Sequence, residues 1–446
     1  MDELLLETAR RAIRYRTELA TEPIRPEPAA DLTALGGDFP DGPTDPREVL
    51  ELMDEVGTPA TMGFSSPRFY GWVIGGVHPV ALAADWMVSA WDQPTYAAEA
   101  SPATVTMEAS AIRWIKEAAG LPESSWGVFV TGTTVGHIVS LAAARSAVLA
   151  AEGWDATGQG LFGAPPITVV VGEEVHPSLI KALGVVGLGR DRVIRVPVDD
   201  QGRMRADAFP DISPPAIVCV QAGNVNTGSF DPMDEIIPRA KESGAWVHVD
   251  GAFGFWAAAS PRLAHLTTGM ELADSWATDA HKYLNVAYDA GLALVRNPSD
   301  LERLMSVNAA YLIEGHIGED PGLYAPEMSR RARGVPTWAV LKSLGRSGLA
   351  EMIDRSAEMA RRFADGMRDA GYAILNEVVL NQVLVDFGDP EKTLRVVQQV
   401  QADGTMFAGP TVWQAQTAMR ISVSNYGTTK TEIDQSIVAV LKAAKA

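Results

Sequence analysis

Short apolar runs alternate with helical ones from about residue 60 to residue 297. That order constrains the chain more than anything else in it. The runs are "ITVVV" (167–171), "RVIRVPV" (192–198), "AIVCV" (216–220), "AWVHVD" (245–250) and "GLALVRN" (291–297). Between them lie helical patterns such as "VGHIVSLAAARSAVLAAEG" and "DEIIPRAKESG". Strands apolar on both faces are buried on both faces, so this alternation predicts a mostly parallel sheet with helices on each side. From about residue 320 the pattern changes. Helices expected over 337–345, 349–371, 391–403 and 430–444 flank two strand candidates, "NQVLVDFGD" and "AMRISVSN", which suggests a smaller C-terminal α+β domain. Before the alternation come an amphipathic helix and then a Pro/Gly/Asp-rich stretch, Pro23 to Pro46, without periodicity. The expected division is 1–60 as helix and extended arm, 61–315 as the large domain and 316–446 as the small one.

Composition narrows the function classes. A net charge of −19 over 446 residues argues against a nucleic-acid partner, which requires clustered Lys and Arg. No charge-free apolar run reaches 18 residues, and the acidic start "MDELLLETARRAIRYRTEL" does not read as a signal peptide. The expectation is a cytoplasmic protein without a membrane segment. A single cysteine, Cys219, allows neither an internal disulfide nor a thiolate metal cage, and no metal site is expected. Two glycine-rich stretches carry no nucleotide fingerprint. "GVVGLG" (184–189) trails a helix, and "TGTTVG" (131–136) lacks the Gly-Lys-Ser/Thr of a phosphate loop.

Four places could carry chemistry. In "GVFVTGTTVGHIVS" a strand runs into Thr131, Gly132, Thr133 and Thr134 and then a helix begins. Helix starts offer unpaired N–H groups and a positive dipole end, so with two hydroxyls this can hold a phosphate monoester; it can also be a simple Thr-capped helix. Asp250 ends a strand in "VHVDGAFGFW", where open α/β sheets place their ligands, although an Asp can equally cap the next turn. Lys282, in "ATDAHKYLN", is either a solvated charge or an amine poised to form an imine with an aldehyde. His176, in "VGEEVHPSLIKA", follows a strand and precedes a helix, where an imidazole can stack on a ring or move a proton. Phosphate cradle, buried acid and reactive lysine, in that order, are the parts needed to hold pyridoxal 5′-phosphate.

With these residues in place, the chain resembles the pyridoxal-phosphate group II amino-acid decarboxylases, a family that includes aromatic-L-amino-acid, histidine, tyrosine and glutamate decarboxylases. The resemblance runs nearly end to end and centres on "DSWATDAHKYLNVAYDAG" (274–291). It implies a fold-type I enzyme: a large α/β domain with a mostly parallel seven-stranded sheet, a smaller α+β domain, and a homodimer with its active site between subunits. The arm would then wrap the partner. The resemblance makes Lys282 the Schiff-base lysine, with His281 and Asp279 as its neighbours. Asp250 becomes the partner of the pyridine nitrogen, with Ala252 packed under the ring. His176 becomes the ring-stacking histidine, and Thr133 and Thr134 the phosphate pair. Asn226 or Thr227, in "GNVNTGSFDP", would lie near the cofactor, and "SPRFYGWVIGG" (66–76) and "EASPATVTME" (99–108) near the substrate or the dimer interface. Family members credit a loop tyrosine with returning the proton after decarboxylation. Here the matching stretch, 318–338, is shorter and offers only Tyr324.

The expected activity is therefore decarboxylation of an L-amino acid, aromatic or neutral in preference. Carbon–carbon (aldehyde) lyase chemistry on β-hydroxy amino acids, aminotransfer, and a non-enzymatic pyridoxal-phosphate-binding module are the alternatives. Phe69, Tyr70, Trp72 and Trp91 are candidate aromatic contacts for the substrate. Arg68 and the "RRAR" run (330–333) are candidate cations for a carboxylate, a phosphate or the partner subunit.

Overall fold

The computed structural model describes residues 1–27, 31–306 and 319–445. Seven strands form the central sheet: β1 (Trp126–Val130), β2 (Thr168–Gly172), β3 (Val193–Val196), β4 (Ala216–Gln221), β5 (Trp246–Asp250), β6 (Ser275–Asp279) and β7 (Gly291–Val295). Their order is β1-β7-β6-β5-β4-β2-β3. All run parallel except β7, which is antiparallel to both β1 and β6. β1, β4, β5, β6 and β7 are buried nearly throughout, as the apolar runs predict for β4, β5 and β7, and only the edge strand β3 shows side chains to solvent. The helix Thr133–Ala151 is long and apolar enough to cross a membrane, but over half of it is buried inside the protein. Its contacts with β5, β6 and β7 make it the core helix of one sheet face.

A second sheet follows: β8 (Ala373–Ile374), β9 (Gln382–Asp386), β10 (Gly409–Trp413) and β11 (Gln416–Ser422), ordered β10-β11-β9-β8 and antiparallel throughout. The helices Pro390–Asp403 and Lys430–Lys445 and the later part of Gly334–Asp369 cover it. The sequence predicts two helices over 337–371. The structure joins them at Gly345, whose φ of 61° a glycine adopts without the penalty a Cβ would impose. This core also takes in Tyr70, hydrogen-bonded to Ser436, so a residue far upstream packs inside the C-terminal unit.

The "RRAR" run is not a surface cluster. Arg330 is fully buried and pairs with buried Glu108 at 2.7 Å, donating also to the carbonyls of Thr95 and Phe129. Glu108 in turn accepts the Gly334 N–H. Arg331 pairs with Asp85 and Arg333 with Asp289. Removing one partner of a buried pair leaves an uncompensated charge. Glu108→Ala is therefore expected to cost ~3–5 kcal/mol of unfolding free energy, read from the urea midpoint. A shift below ~1 kcal/mol would show that water reaches Arg330.

Arg68 is likewise committed to structure. It donates to the carbonyls of Thr405 and Ala20, tying the end of the first helix to the small domain. The first helix, Asp2–Glu18, buries none of its residues, and Leu5, Leu6 and Ile13 are each more than half exposed. The arm continues that uncovered apolar surface with Leu32, Leu35 and Phe39.

Candidate active site

Lys282 lies just beyond the end of β6, in the short helix Ala280–Tyr283. Lys282 Nζ sits 3.0 Å from Asp279 Oδ2, with its side chain about one-fifth exposed at 21%. Asp279 is the hub of this corner. Its Oδ1 accepts the Thr133 N–H at 2.6 Å and faces His281 Nε2 at 3.6 Å. Burial pushes the Asp279 carboxyl up, but Lys282, His281 and Thr133 together bring it below the ordinary carboxylate value. His281 is held below its ordinary value, mainly by burial, and its Nδ1 accepts the Ala290 N–H, so the ring proton belongs on Nε2.

The segment after Lys282 explains the "YLN". Asn285 takes a left-handed backbone (φ 53°), which asparagine tolerates better than most residues. Its Oδ1 accepts from the Gly76 and Tyr426 N–H groups, and its Nδ2 donates to the carbonyls of Tyr283 and Ser424. Gly75 passes so close that an added Cβ would lie 1.9 Å from the Lys282 carbonyl oxygen, so only glycine fits there. Thus 71–76 does reach the lysine, but through its glycines. Tyr70 belongs to the small domain's core, Phe69 stacks on Phe407 at 4.9 Å, and Trp91 ends a helix at the surface. Trp72 lies against Phe407 with half its surface exposed.

Beside the lysine, Gly132 caps the helix Thr133–Ala151. Thr133 Oγ1 is buried and has no partner among the described residues, and neither do the first-turn N–H groups of Thr134 and Val135. Hydroxyl, free N–H groups and helix dipole together form an anion site.

Asp250, at the end of β5, is 4% exposed. Its Oδ1 accepts the Ala252 N–H at 3.2 Å, and its Oδ2 faces His137 Nε2 at 3.5 Å. Burial alone would raise its carboxyl, but His137, His176 and Lys282 reverse the direction, and it stays ionised. His176 caps the helix Pro177–Val185. Its Nδ1 is held by Ser178, and burial keeps it below its ordinary value, with Asp250, Lys282 and Arg420 all close enough to act on it.

The loop 223–230 is less available than the sequence suggests. Thr227 Oγ1 donates to the Gln201 carbonyl and is spent on structure. Asn226 Oδ1 accepts from Thr411. Tyr324 is buried in the large core, its hydroxyl pushed up to about 12 by burial beside Glu302, Glu319 and Asp320. No contact among the described residues joins Tyr324 to Lys282, His176 or Asp250 of its own chain. Of the expected loop 318–338, residue 318 lies outside the described residues.

Two site residues escaped the sequence argument. Arg420, on β11, is largely buried, reaches the Val225 carbonyl at 3.3 Å and pairs with no carboxylate among the described residues. The other is His137. A histidine in the first turns of an otherwise apolar helix, four residues after Thr133, is the signal that could have found it. An anion site with an orphaned hydroxyl, a buried ionised carboxylate and an amine at one sheet end fit a phosphorylated, cationic aromatic aldehyde.

A model of the pyridoxal-dependent decarboxylase conserved domain matches residues 28–387. The acidic amino acid decarboxylase GADL1 of Homo sapiens is 29% identical over 74% of this chain. This chain spans 65%, 61% and 58% of the human, bovine and mouse forms of that protein. The aromatic-L-amino-acid decarboxylase of Bacillus atrophaeus is 26% identical over 78% of this chain and 74% of its own length. The aspartate 1-decarboxylase of Aliivibrio fischeri is 30% identical over 75% of this chain and 67% of its own. Among solved structures, Oryza sativa TDC with PLP and tryptamine superposes with a TM-score of 0.91 at 21% identity, covering 100% of this chain and 97% of that one. Mouse CSAD gives 0.91 at 22% identity, covering 99% and 98%.

Proposed function

This chain belongs to the pyridoxal-dependent decarboxylase family, and on that premise we propose that it releases the α-carboxylate of an L-amino acid as carbon dioxide. The observation that carries the proposal is the convergence of Lys282, ionised Asp250 and the open helix start at Thr133 on one end of the sheet. When bound, pyridoxal phosphate supplies an aldehyde and a ring that accepts the electron pair a departing carboxylate leaves. Lys282 offers the amine that anchors it. The Thr133 and Thr134 hydroxyls, the first-turn N–H groups and the His281 Nε2–H hold its phosphate. Asp250 would keep a proton on its ring nitrogen, and Ala252, His176 and Asn226 are the further residues that would hold the ring.

Arg420 orients the substrate's α-carboxylate, since it is largely buried and pairs with no carboxylate among the described residues. Arg68, Arg330, Arg331 and Arg333, the cations the sequence offers for an acidic side chain, are all committed elsewhere. The reading therefore favours a neutral or aromatic amino acid. His176, with its proton on Nε2, is the proton donor in the chain's own site, and Tyr324 is the candidate from a partner subunit. The uncovered apolar face of the first helix and arm supports a homodimer.

Carboxyl-labelled amino acids, aromatic and acidic, offered beside phenylserine test the proposal. Labelled carbon dioxide with amine from an aromatic or neutral substrate is expected. Aldehyde and glycine from phenylserine, with the carboxylate retained, overturn it in favour of a lyase. In the same assay Tyr324→Phe is expected to lower the amine yield if Tyr324 returns the proton, and to leave it unchanged if His176 does.

A further inference from the structure

Behind Asp250, away from the cofactor side chains, four buried residues stand in a line. Trp246 Nε1 donates to Ser275 Oγ at 2.9 Å. Ser275 Oγ is 2.9 Å from His248 Nδ1, and His248 Nε2 is 2.9 Å from His137 Nδ1. His137 Nε2, which has no hydrogen-bond partner among the described residues, faces Asp250 Oδ2 at 3.5 Å. Ser275, His248 and His137 are all completely buried. Alternation explains the alignment. His248 and Asp250 are two residues apart on β5, hence on one sheet face, and the helix Thr133–Ala151 packs there.

The carboxylate end fixes the direction. An indole N–H can only donate, and an ionised carboxylate can only accept. His137 must then present Nε2–H to Asp250, which leaves its Nδ1 bare if the ring is neutral. His248 must therefore donate from Nε2, leaving its own Nδ1 bare to accept the Ser275 hydroxyl. For two neutral imidazoles no other assignment satisfies every contact. The competing arrangement makes His137 an imidazolium and puts the His248 proton on Nδ1. His137 Nε2 stands 3.5 Å from Asp250 Oδ2, outside the about 2.7–2.9 Å of a charge-assisted hydrogen bond, and the neutral arrangement is the one tested below.

We infer that Trp246, Ser275, His248 and His137 form a one-way hydrogen-bond line that ends on Asp250 and makes His137 a positioning residue for that carboxylate. The line holds Asp250 in place with a dipole, so the full negative charge stays available to the ring nitrogen. A cation at His137 would compete for it. Burial holds His248 down to about 3, consistent with a neutral ring. The ionisable groups bearing on His137 are Asp250 and His248 from β5 and His176 from the start of its helix. The inference rests on the proposed function only in giving Asp250 a partner.

Imidazole-¹⁵N-labelled apoprotein tests the line directly, its seven histidines assigned by single substitutions. His137 and His248 are both expected as Nε2-protonated rings with a bare Nδ1. A cationic His137, or Nδ1 protonation of either ring, overturns the line. Ser275→Ala, remote from the cofactor, is expected to leave His248 protonated on Nε2, because the bare His137 Nδ1 still requires that proton; a shift of His248 to Nδ1 protonation overturns the assigned direction. Titration of apoprotein with pyridoxal 5′-phosphate reads the positioning role. His137→Leu is expected to weaken binding roughly tenfold or more, and His137→Gln to recover part of that through its amide N–H. Unaltered affinity in His137→Leu overturns the role. None of these readouts requires turnover, so failure of the decarboxylase assay and failure of the line are separate results.

Discussion

Lys282→Ala is expected to lose turnover by roughly a thousandfold or more and to retain no covalently attached cofactor. Borohydride treatment of the unaltered protein should fix pyridoxal phosphate to one peptide, the one containing Lys282; attachment elsewhere refutes the assignment. The variant should still bind cofactor non-covalently, because the helix start at Thr133 and the Asp250 carboxylate are untouched. It should also expose what the lysine does for Asp279. In the intact chain, Lys282 balances a carboxylate that occupies the Thr133 N–H. Without that cation, Asp279 stands uncompensated beside the site proposed for a phosphate, so non-covalent affinity should recover partly in Lys282→Ala/Asp279→Asn. No recovery would mean that Asp279 and the phosphate do not meet.

Asp250→Asn is the second large effect, with an expected loss of ~10²–10³-fold in kcat. The substitution keeps the shape and the contact with the Ala252 N–H but removes the charge that keeps the ring nitrogen protonated. Stability should change little, so the urea midpoint and kcat should separate. Turnover within about threefold of the parent, where a transition-state charge contact cannot have been lost, would remove Asp250 from its role.

The large sheet was legible because strands buried on both faces must be apolar. β2, β4, β5 and β7 announce themselves as runs of Val, Ile, Leu and Ala. β6 did not. Its sequence, "SWATD", is as buried as its neighbours, but Ser275 and Asp279 are polar because they serve the buried line and the lysine corner. Chemistry there has overwritten the pattern that marks a strand. β8 and β10 were missed for another reason: the first has two residues, and the second alternates with exposed side chains at the sheet edge.

The site was readable where the residue type itself is costly to bury. Lys282, Asp250 and His176 stand out because a charge or an imidazole at a strand end needs a partner. His137 did not stand out, because one polar residue in a helix usually faces water, and only the fold reveals that this one faces β5. Arg420 was hidden in the same way by an alternating strand whose two faces a sequence cannot orient. Conversely, Arg68 and Arg330 attracted attention as cations and turned out to be braces.

The knot at Asn285 has a consequence for the order in which the chain becomes competent. One amide joins the lysine turn to Gly76, about two hundred residues earlier, and to Ser424 and Tyr426, about a hundred and forty residues later. A protein is made from its N-terminus, and its units tend to fold as they emerge. All seven strands of the large sheet can leave the ribosome well before Ser424 exists. Until it does, half of the Asn285 amide's partners are missing and the turn carrying Lys282 lacks its clamp. The nascent chain therefore completes its scaffold before its reactive corner, which delays cofactor capture until Ser424 and Tyr426 have been made.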